Sequence, residues 1–129
     1  MSGKKHNQNV LIVEDLSSWR RRLKRLLKNE PVNVFDAAGY DEALRLVKRH
    51  HFDVAVIDVN LSGVPHNVDG LALAEQMWQT NSKVKIILIS GSREWERRLS
   101  RFRFHPTCIL EKQNLDQDDF VRKVRQSAG

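Results

Sequence analysis

The stretch Val54-Ala55-Val56-Ile57-Asp58 consists of four apolar residues followed directly by one carboxylate. An unbroken apolar run of this length is typical of a strand that is buried on both faces, as in a parallel sheet. Asp58 would then lie at the carboxyl end of a central strand, which is the edge where open α/β sheets bind their ligands. The residues that follow, 59–69, are rich in polar and turn-forming types, so they predict a loop beside that carboxylate.

Four other apolar runs predict strands, and helical patterns follow each strand. The strands are expected at 10–13, 32–35, 84–89 and 108–110, and the helices at about 17–29, 41–50, 71–80, 93–101 and 115–125. Ser17 or Ser18 is expected to cap the first helix, and Asn114 the last. Five alternating strands and helices predict a doubly wound α/β fold, with a five-stranded parallel sheet covered on both faces.

Length and composition indicate one domain. The 129 residues suffice for a single core, with residues 1–8 expected to be loose and residues 9–127 to form the domain. The single cysteine, Cys108, cannot form an internal disulfide, and no apolar run resembles a signal peptide or a membrane span, so a cytoplasmic protein is expected. The net charge of +6 indicates either acidic partners, nucleic acid among them, or a solvated basic surface, and the second is favoured.

The residues at the predicted strand ends share one chemistry. Glu14-Asp15, Asp58, Ser90 and Lys112 end four different strands, so they meet at one edge of the sheet. Taken singly, each has an ordinary structural explanation, such as a helix cap or a solvated lysine. Together, clustered carboxylates repel unless a cation joins them, and hard oxygen ligands suit Mg²⁺. An ionised carboxylate beside a metal, a hydroxyl and an ammonium is the arrangement for forming an aspartyl phosphate.

This pattern resembles the receiver domain of two-component response regulators, the CheY-like, flavodoxin-like fold with strand order 2-1-3-4-5. The resemblance covers nearly the whole chain, about residues 9–127, and rests on five positions in the right order. It implies a Mg²⁺ site with Asp15 as a direct ligand and Glu14 acting through water. Asp58 and the backbone carbonyl of Asn60 would complete that site.

The resemblance also implies a function. Asp58 would accept a phosphoryl group from a sensor histidine kinase or a histidine phosphotransfer protein, with Ser90 and Lys112 binding the phosphoryl oxygens. The domain would not be an enzyme beyond its own phosphorylation from small donors and its own dephosphorylation, whose rate Asn60 and Ser92 would tune.

Two surfaces are expected to contact partners. The basic face of the first helix would dock an acidic phosphotransfer partner. The segment 93–104, with Trp95, Phe102 and Phe104 expected to be exposed, would contact a downstream effector or a second copy together with the final helix.

Four features depart from the family pattern, namely the loop after Asp58, Gln113, Ile109 and, as a common and mild variant, Glu14 in the first acidic position. Ser62 stands where the family has proline, and residues 64–67 form an insertion expected to reshape access to Asp58. Gln113 follows Lys112 where a cis-proline is usual, so the aim of the lysine is expected to change. Ile109 occupies the aromatic switch position, so a rotamer flip coupled to Ser90 cannot operate there. Phosphorylation chemistry is therefore expected to be intact and signal output altered.

Four other classes stay open at this point. A pseudo-receiver that is not phosphorylated is favoured by the insertion, Gln113 and Ile109, and opposed by retention of all five site residues. Direct nucleic-acid binding through the basic helix is less favoured and would depend strongly on salt. A flavin or nucleotide binder is disfavoured because no glycine-rich loop follows the first strand. A metal-dependent phosphatase lacks an evident acid for its leaving group.

Overall fold

The computed structural model describes residues 7–128, and within them five strands form one parallel sheet in the order β2-β1-β3-β4-β5. The strands are β1 (Gln8–Val13), β2 (Val32–Ala37), β3 (Val54–Asp58), β4 (Lys85–Ser90) and β5 (Cys108–Glu111). The helices are α1 (Ser17–Leu26), α2 (Tyr40–Arg49), α3 (Asp69–Thr80), a 3₁₀ helix (Glu94–Arg101) and α4 (Gln117–Ala128), with a 3₁₀ turn at Lys112–Asn114. The predicted doubly wound fold and its strand order are confirmed.

The sheet carries a separate core on each face because successive strand residues point to opposite sides. One face packs against α2, α3 and the 3₁₀ helix, and the other against α1 and α4. All five residues of β3 are buried, as the unbroken apolar run predicts. Burying each Val or Ile side chain of this strand contributes about 1.5–3 kcal/mol. None of the helices within residues 7–128 is long and apolar enough to cross a membrane.

Several element boundaries differ from the predicted ones by two or three residues. β1 begins at Gln8 and β2 continues to Ala37, because the two strands pair in register from Gln8 with Val32 to Val13 with Ala37. Backbone pairing extends a strand through polar residues that an apolar pattern does not register. The expected loose segment 1–8 falls mainly on residues 1–6, which lie outside the described residues.

The predicted cap of α1 is wrong. The helix starts at Ser17, and among the described residues no side chain caps its N-terminus. Glu14 Oε1 instead accepts a hydrogen bond from the Leu16 N–H at 3.2 Å, just before the helix. A buried carboxylate of the site thus holds the chain where the sequence pattern placed a serine.

The predicted cap of α4 is wrong as well. Asp116 accepts a hydrogen bond from the Asp119 N–H at 2.9 Å, which is the contact expected of a capping carboxylate. Asn114 lies in the preceding 3₁₀ turn, and its amide donates to Glu111 Oε2 at 3.2 Å. The turn after β5 uses residues that the sequence pattern assigned to the helix start.

The segment after β4 differs most from its prediction. It forms a 3₁₀ helix, and two of the aromatic residues expected to be exposed are buried, with Trp95 6% and Phe104 1% accessible. Phe102 is half-buried against the same core. Glu75 of α3 accepts hydrogen bonds from the N–H groups of Arg103 and Phe104, at 2.9 and 3.0 Å. These bonds hold the chain against α3, so the aromatic rings fill the core rather than face solvent.

Candidate functional site

Three carboxylates meet where β1 and β3 end. Glu14 and Asp15 follow β1 directly and Asp58 ends β3; the register of these neighbouring strands places Val13 opposite Ile57. One oxygen from each carboxylate lies within 4.8 Å of the other two. Glu14 and Asp58 are buried, and Asp15 is half-buried. A compact set of hard oxygen donors of this kind suits a small divalent cation such as Mg²⁺.

Lys112 enters this cluster from the end of β5. Its Nζ lies 2.8 Å from Glu14 Oε2 and 3.2 Å from Asp58 Oδ2, to which it donates a hydrogen bond. The contact with Glu14 is a close ion pair, and within residues 7–128 Glu14 Oε2 is buried without a directed hydrogen-bond donor. Buried polar oxygens of folded proteins normally have such a donor. This oxygen is therefore suited to a further ligand, such as a metal-bound water.

Burial and crowding set the protonation of the cluster. The pKa of Asp58 is raised to about 8 by burial and by the charge of Glu14, against the opposing charge of Lys112. The pKa of Glu14 is also raised, mainly by burial, although Lys112 opposes the shift. Burial lowers the pKa of Lys112, but its contacts with Glu14 and Asp58 outweigh that effect and raise it overall. The carboxylates thus need positive charge beyond the ammonium to ionise together.

Ser90 ends β4 on the other side of Asp58 and is 5% accessible. Its Oγ donates to the Ser92 carbonyl at 2.6 Å and accepts from the Ser92 N–H at 3.2 Å. The Trp95 indole N–H also donates to Ser90 Oγ, at 3.0 Å. The hydroxyl is therefore held by its own loop and by an aromatic side chain of the 3₁₀ helix.

Asn60 contacts Asp58 through its backbone. The Asn60 N–H donates to Asp58 Oδ1 at 3.2 Å. Its side chain is engaged in the loop, since Nδ2 donates to the Val64 carbonyl at 2.7 Å and Oδ1 accepts from the N–H groups of Ser62 and Gly63. The Asn60 side chain thus shapes the loop after β3, while its backbone faces the phosphoacceptor candidate.

A cavity of about 430 Å³ opens above Asp58, between two walls. The inserted residues form part of one wall, and the start of the 3₁₀ helix forms the other. Arg98 joins the walls by donating to the His66 carbonyl, and His66 Nδ1 lies 3.9 Å from Glu94 Oε2. The insertion therefore borders the access to Asp58 and is tied to the 3₁₀ helix. The polar and charged residues of the lining are Asp15, Asp58, Asn60, His66, Asn67, Ser90, Ser92, Glu94, Arg98 and Lys112.

Lys112 is followed by Gln113, at the position where a cis-proline is usual, and other contacts orient the lysine. Gln113 Nε2 donates to the Gly91 carbonyl at 2.9 Å, which ties the end of β5 to the loop after β4. Across residues 7–128, every peptide bond is trans. Trp19 of α1 lies under the lysine, with Lys112 Nζ 5.2 Å from its ring centroid, and Arg22 stacks on the same ring at 4.7 Å.

The structure thus brings all six predicted site residues together. Five of them line the cavity, namely Asp15, Asp58, Asn60, Ser90 and Lys112, and the buried Glu14 contacts Lys112. Sequence reasoning missed the roles of Trp95 and Trp19 as neighbours of Ser90 and Lys112. It also missed Gly70, where an added Cβ would lie 1.9 Å from the Asp58 carbonyl oxygen. Gly70 directly precedes the predicted helix 71–80, and a glycine at that point was the available signal for this close approach.

The strand order and this acidic pocket define a receiver-type fold, and comparison with known proteins identifies the family. The family model described as response regulator receiver domain matches residues 10–125. The chain belongs to this family.

Individual relatives are distant in sequence. The chain is 26% identical over 124 residues to the cell cycle transcriptional regulator CtrA of Caulobacter vibrioides, an alignment covering 93% of this chain and 52% of that protein. The chain thus spans about half the length of this curated relative.

Two solved structures show the same fold. One is a CheY-like receiver domain protein from Methanospirillum hungatei, with TM-score 0.80, 21% identity and coverage of 95% of this chain and 94% of that chain. The other is the response regulator protein TrrA from Thermotoga maritima in complex with Mg²⁺-BeF, with TM-score 0.77, 23% identity and coverage of 93% and 98%.

Proposed function

We propose that this receiver domain accepts a phosphoryl group on Asp58 and relays the event by a change in conformation. The observation that carries the proposal is the Asp58 carboxylate itself. It lines an accessible cavity, 3.2 Å from an ammonium and within 4.8 Å of two further carboxylates. Receiver domains act in signalling with histidine kinases and effectors and are generally not catalytic toward other substrates.

The donor set fits a bound Mg²⁺. Glu14, Asp15 and Asp58 present clustered oxygens, and Glu14 Oε2 lacks a directed donor. We infer that Asp15, Asp58 and the Asn60 carbonyl hold the cation and that Glu14 acts through a water. When bound, the cation supplies the positive charge that lets the carboxylates ionise and that offsets charge on the phosphoryl oxygens.

In the transfer step, an ionised oxygen of Asp58 attacks the phosphorus of a phosphohistidine. The new O–P bond gives an acyl phosphate, while the P–N bond breaks and its electron pair returns to the imidazole nitrogen. Lys112 is already 3.2 Å from Asp58 and pairs with a phosphoryl oxygen, and Ser90 donates its hydroxyl proton to another. Water later attacks the phosphorus, which releases inorganic phosphate and restores the carboxylate.

Two surfaces are proposed to contact partners. The exposed basic side chains of α1, Arg21 and Arg25 among them, suit an acidic kinase or phosphotransfer domain that approaches the rim of the cavity. The 3₁₀ helix and α4 form the proposed output face, toward an effector or a second copy. The exposed side chains Arg97, Arg101 and Arg103 remain on that face, while Trp95 and Phe104 do not.

Intact mass after incubation with Mg²⁺ and acetyl phosphate tests the proposal. We expect one phosphoryl adduct on the parent chain and on Asp41→Ala, a control that removes an exposed carboxylate of α2. Asp58→Ala should carry none. A parent chain that gains no adduct and binds no beryllofluoride would instead support a pseudo-receiver, which the departures at Ile109 and Gln113 favour.

A further inference from the structure

The Trp95 indole N–H donates to the Ser90 hydroxyl, which the proposed function assigns to a phosphoryl oxygen. We propose that Trp95 is a positioning residue for Ser90. The indole N–H takes over the Ser92 carbonyl as its acceptor, which frees the Ser90 hydroxyl to turn toward phosphorylated Asp58. The inference rests on the proposed phosphorylation of Asp58. It assigns the aromatic role to the 3₁₀ helix rather than to β5, where Ile109 stands.

The contacts around Ser90 leave its hydroxyl proton only one direction. An indole N–H can only donate, so Ser90 Oγ must accept from Trp95, at 3.0 Å. Ser90 Oγ also accepts from the Ser92 N–H at 3.2 Å. Its single proton therefore goes to the Ser92 carbonyl, at 2.6 Å, and is not available to Asp58.

The same indole N–H also reaches the Ser92 carbonyl, at 2.6 Å. It is thus shared between the hydroxyl oxygen and the carbonyl that this hydroxyl serves. When Ser90 turns its proton toward a phosphoryl oxygen, the Ser92 carbonyl keeps the indole N–H as its donor. The rearrangement then exchanges partners without leaving a polar group unpaired, which is the condition for a low energetic cost.

Burial keeps water from replacing the indole N–H as the donor to the Ser92 carbonyl. Trp95 and Ser90 are 6% and 5% accessible, and Trp95 belongs to the core on the sheet face that α2 and α3 cover. Trp95 also lies in the first turn of the 3₁₀ helix, so a change in its hydrogen bond is passed directly to that helix. Phosphorylation of Asp58 would reach the proposed output face by this short path.

The first measurement follows the indole N–H resonances of ¹⁵N-labelled protein during titration with Mg²⁺ and beryllofluoride, a phosphoryl mimic. The three tryptophan signals are assigned by Trp→Phe variants. We expect the Trp95 signal to shift in the parent chain and to stay in place in Ser90→Ala at saturating beryllofluoride. A Trp95 signal that does not shift in the parent chain, or that shifts equally in Ser90→Ala, overturns the inference.

The second measurement is a double-mutant cycle on beryllofluoride affinity. Trp95→Phe should weaken binding about 3- to 10-fold, the scale of one hydrogen bond, while the control Trp78→Phe on α3 should change it less than about twofold. In a Ser90→Ala background, Trp95→Phe should have no further effect. Equal weakening in both backgrounds shows a general structural role and overturns the inference.

The two proposals fail in distinguishable ways. A parent chain that forms no adduct with acetyl phosphate and binds no beryllofluoride overturns the proposed function, and the inference falls with it. A parent chain that does both, combined with an additive cycle or an unmoved indole signal, overturns the role of Trp95 alone.

Discussion

The pocket has two sides that are built differently: a rigid side at the ends of β1 and β3, and a transmitting side at the ends of β4 and β5. On the side of β1 and β3, three carboxylates are placed by the register of two buried strands, and Asp58 is 4% accessible. On the side of β4 and β5, side chains place Ser90 and the residues around it by hydrogen bonds to one another and to loop carbonyls. Strand register leaves little freedom, whereas side-chain networks can be rebuilt with other residues.

This difference matches where the chain departs from the family pattern. The acidic side keeps its three carboxylates, and its departures, Ser62 and the insertion 64–67, lie in the loop after β3. The opposite side has Ile109 at the position of the switch aromatic and Gln113 at that of the proline, and there Trp95 donates to Ser90 and Gln113 to the Gly91 carbonyl. The comparison teaches that strand register fixes the carboxylates, whereas the residues that hold Ser90 and Lys112 are where this chain replaces those of the family pattern.

The largest expected effect comes from breaking the rigid side at Gly70. Its Cα faces the end of β3 so closely that an added Cβ would lie 1.9 Å from the Asp58 carbonyl oxygen. Gly70→Ala must push α3 away from β3, and we expect a loss of roughly 2–4 kcal/mol in the free energy of unfolding. Urea denaturation measures it.

Gly39→Ala is the matched control, because nothing lies within 4 Å of the Cβ it would add. Gly39 is the N-cap of α2 with an extended φ of −165°, so alanine should cost about 1 kcal/mol or less there. Equal losses in the two variants would show that the close approach at Gly70 is not what constrains the β3 end.

A second prediction concerns the ionisation of Asp58 on the rigid side. Asp58 has its pKa raised from 3.8 to about 8 in the folded protein, so folding opposes its ionisation. The stability that protonated Asp58 contributes to the folded protein is fully present below about pH 4, and it is lost as the pH rises through 8. In EDTA, Asp58→Asn should therefore gain roughly 1–4 kcal/mol of stability at pH 8.5 and much less at pH 5.

Thermal denaturation of both proteins at the two pH values measures this gain. Asp41→Asn, an exposed carboxylate of α2, is the control and should show no such pH-dependent gain. A gain at pH 5 as large as that at pH 8.5 would mean that Asp58 ionises normally in the folded protein.

The contrast between strand register and side-chain hydrogen bonds also explains which features could be predicted from the sequence. The run Val54–Asp58 predicts the central strand, its burial and the position of Asp58, since a buried parallel strand leaves few alternatives. Trp95 lies at helical spacing from Leu99 and Phe102, which indicates an apolar face but not that the ring turns back to Ser90. Contacts between distant segments, such as Glu75 with Phe104, have no local signature. The strand ends were therefore predictable, and the loops between them were not.

A third prediction tests whether docking uses the rim beside the rigid side. Arg21 and Arg25 are exposed on α1, so Arg21→Glu with Arg25→Glu should weaken attraction to an acidic phosphotransfer domain. We compare the rate of phosphorylation by the phosphotransfer domain with the rate of phosphorylation by acetyl phosphate. We expect the ratio of the first rate to the second to fall about tenfold in the double variant. Stopped-flow or quench kinetics at two salt concentrations measures the ratio.

Lys48→Glu with Arg49→Glu, at the far end of α2, is the matched charge reversal. It removes the same net charge from a surface remote from the pocket, so its effect on the ratio should be small. If both variants lower the ratio equally, net charge rather than the α1 surface governs the encounter.

The smallest expected effect concerns how the transmitting side aims Lys112. Its ammonium lies 5.2 Å from the Trp19 ring centroid and is anchored more directly by Glu14 and Asp58. A cation over an indole contributes about 0.5–1 kcal/mol where solvent is near, so Trp19→Leu should weaken beryllofluoride binding about two- to fivefold.

In a Lys112→Gln background, Trp19→Leu should have no further effect, because the ring would then have no ammonium to hold. The double-mutant cycle thus separates aiming of the lysine from general packing of α1. Weakening that persists without Lys112 would assign Trp19 to the core of its face. In that case the Gln113 bond to Gly91 would be left as the contact that replaces the proline in aiming the lysine.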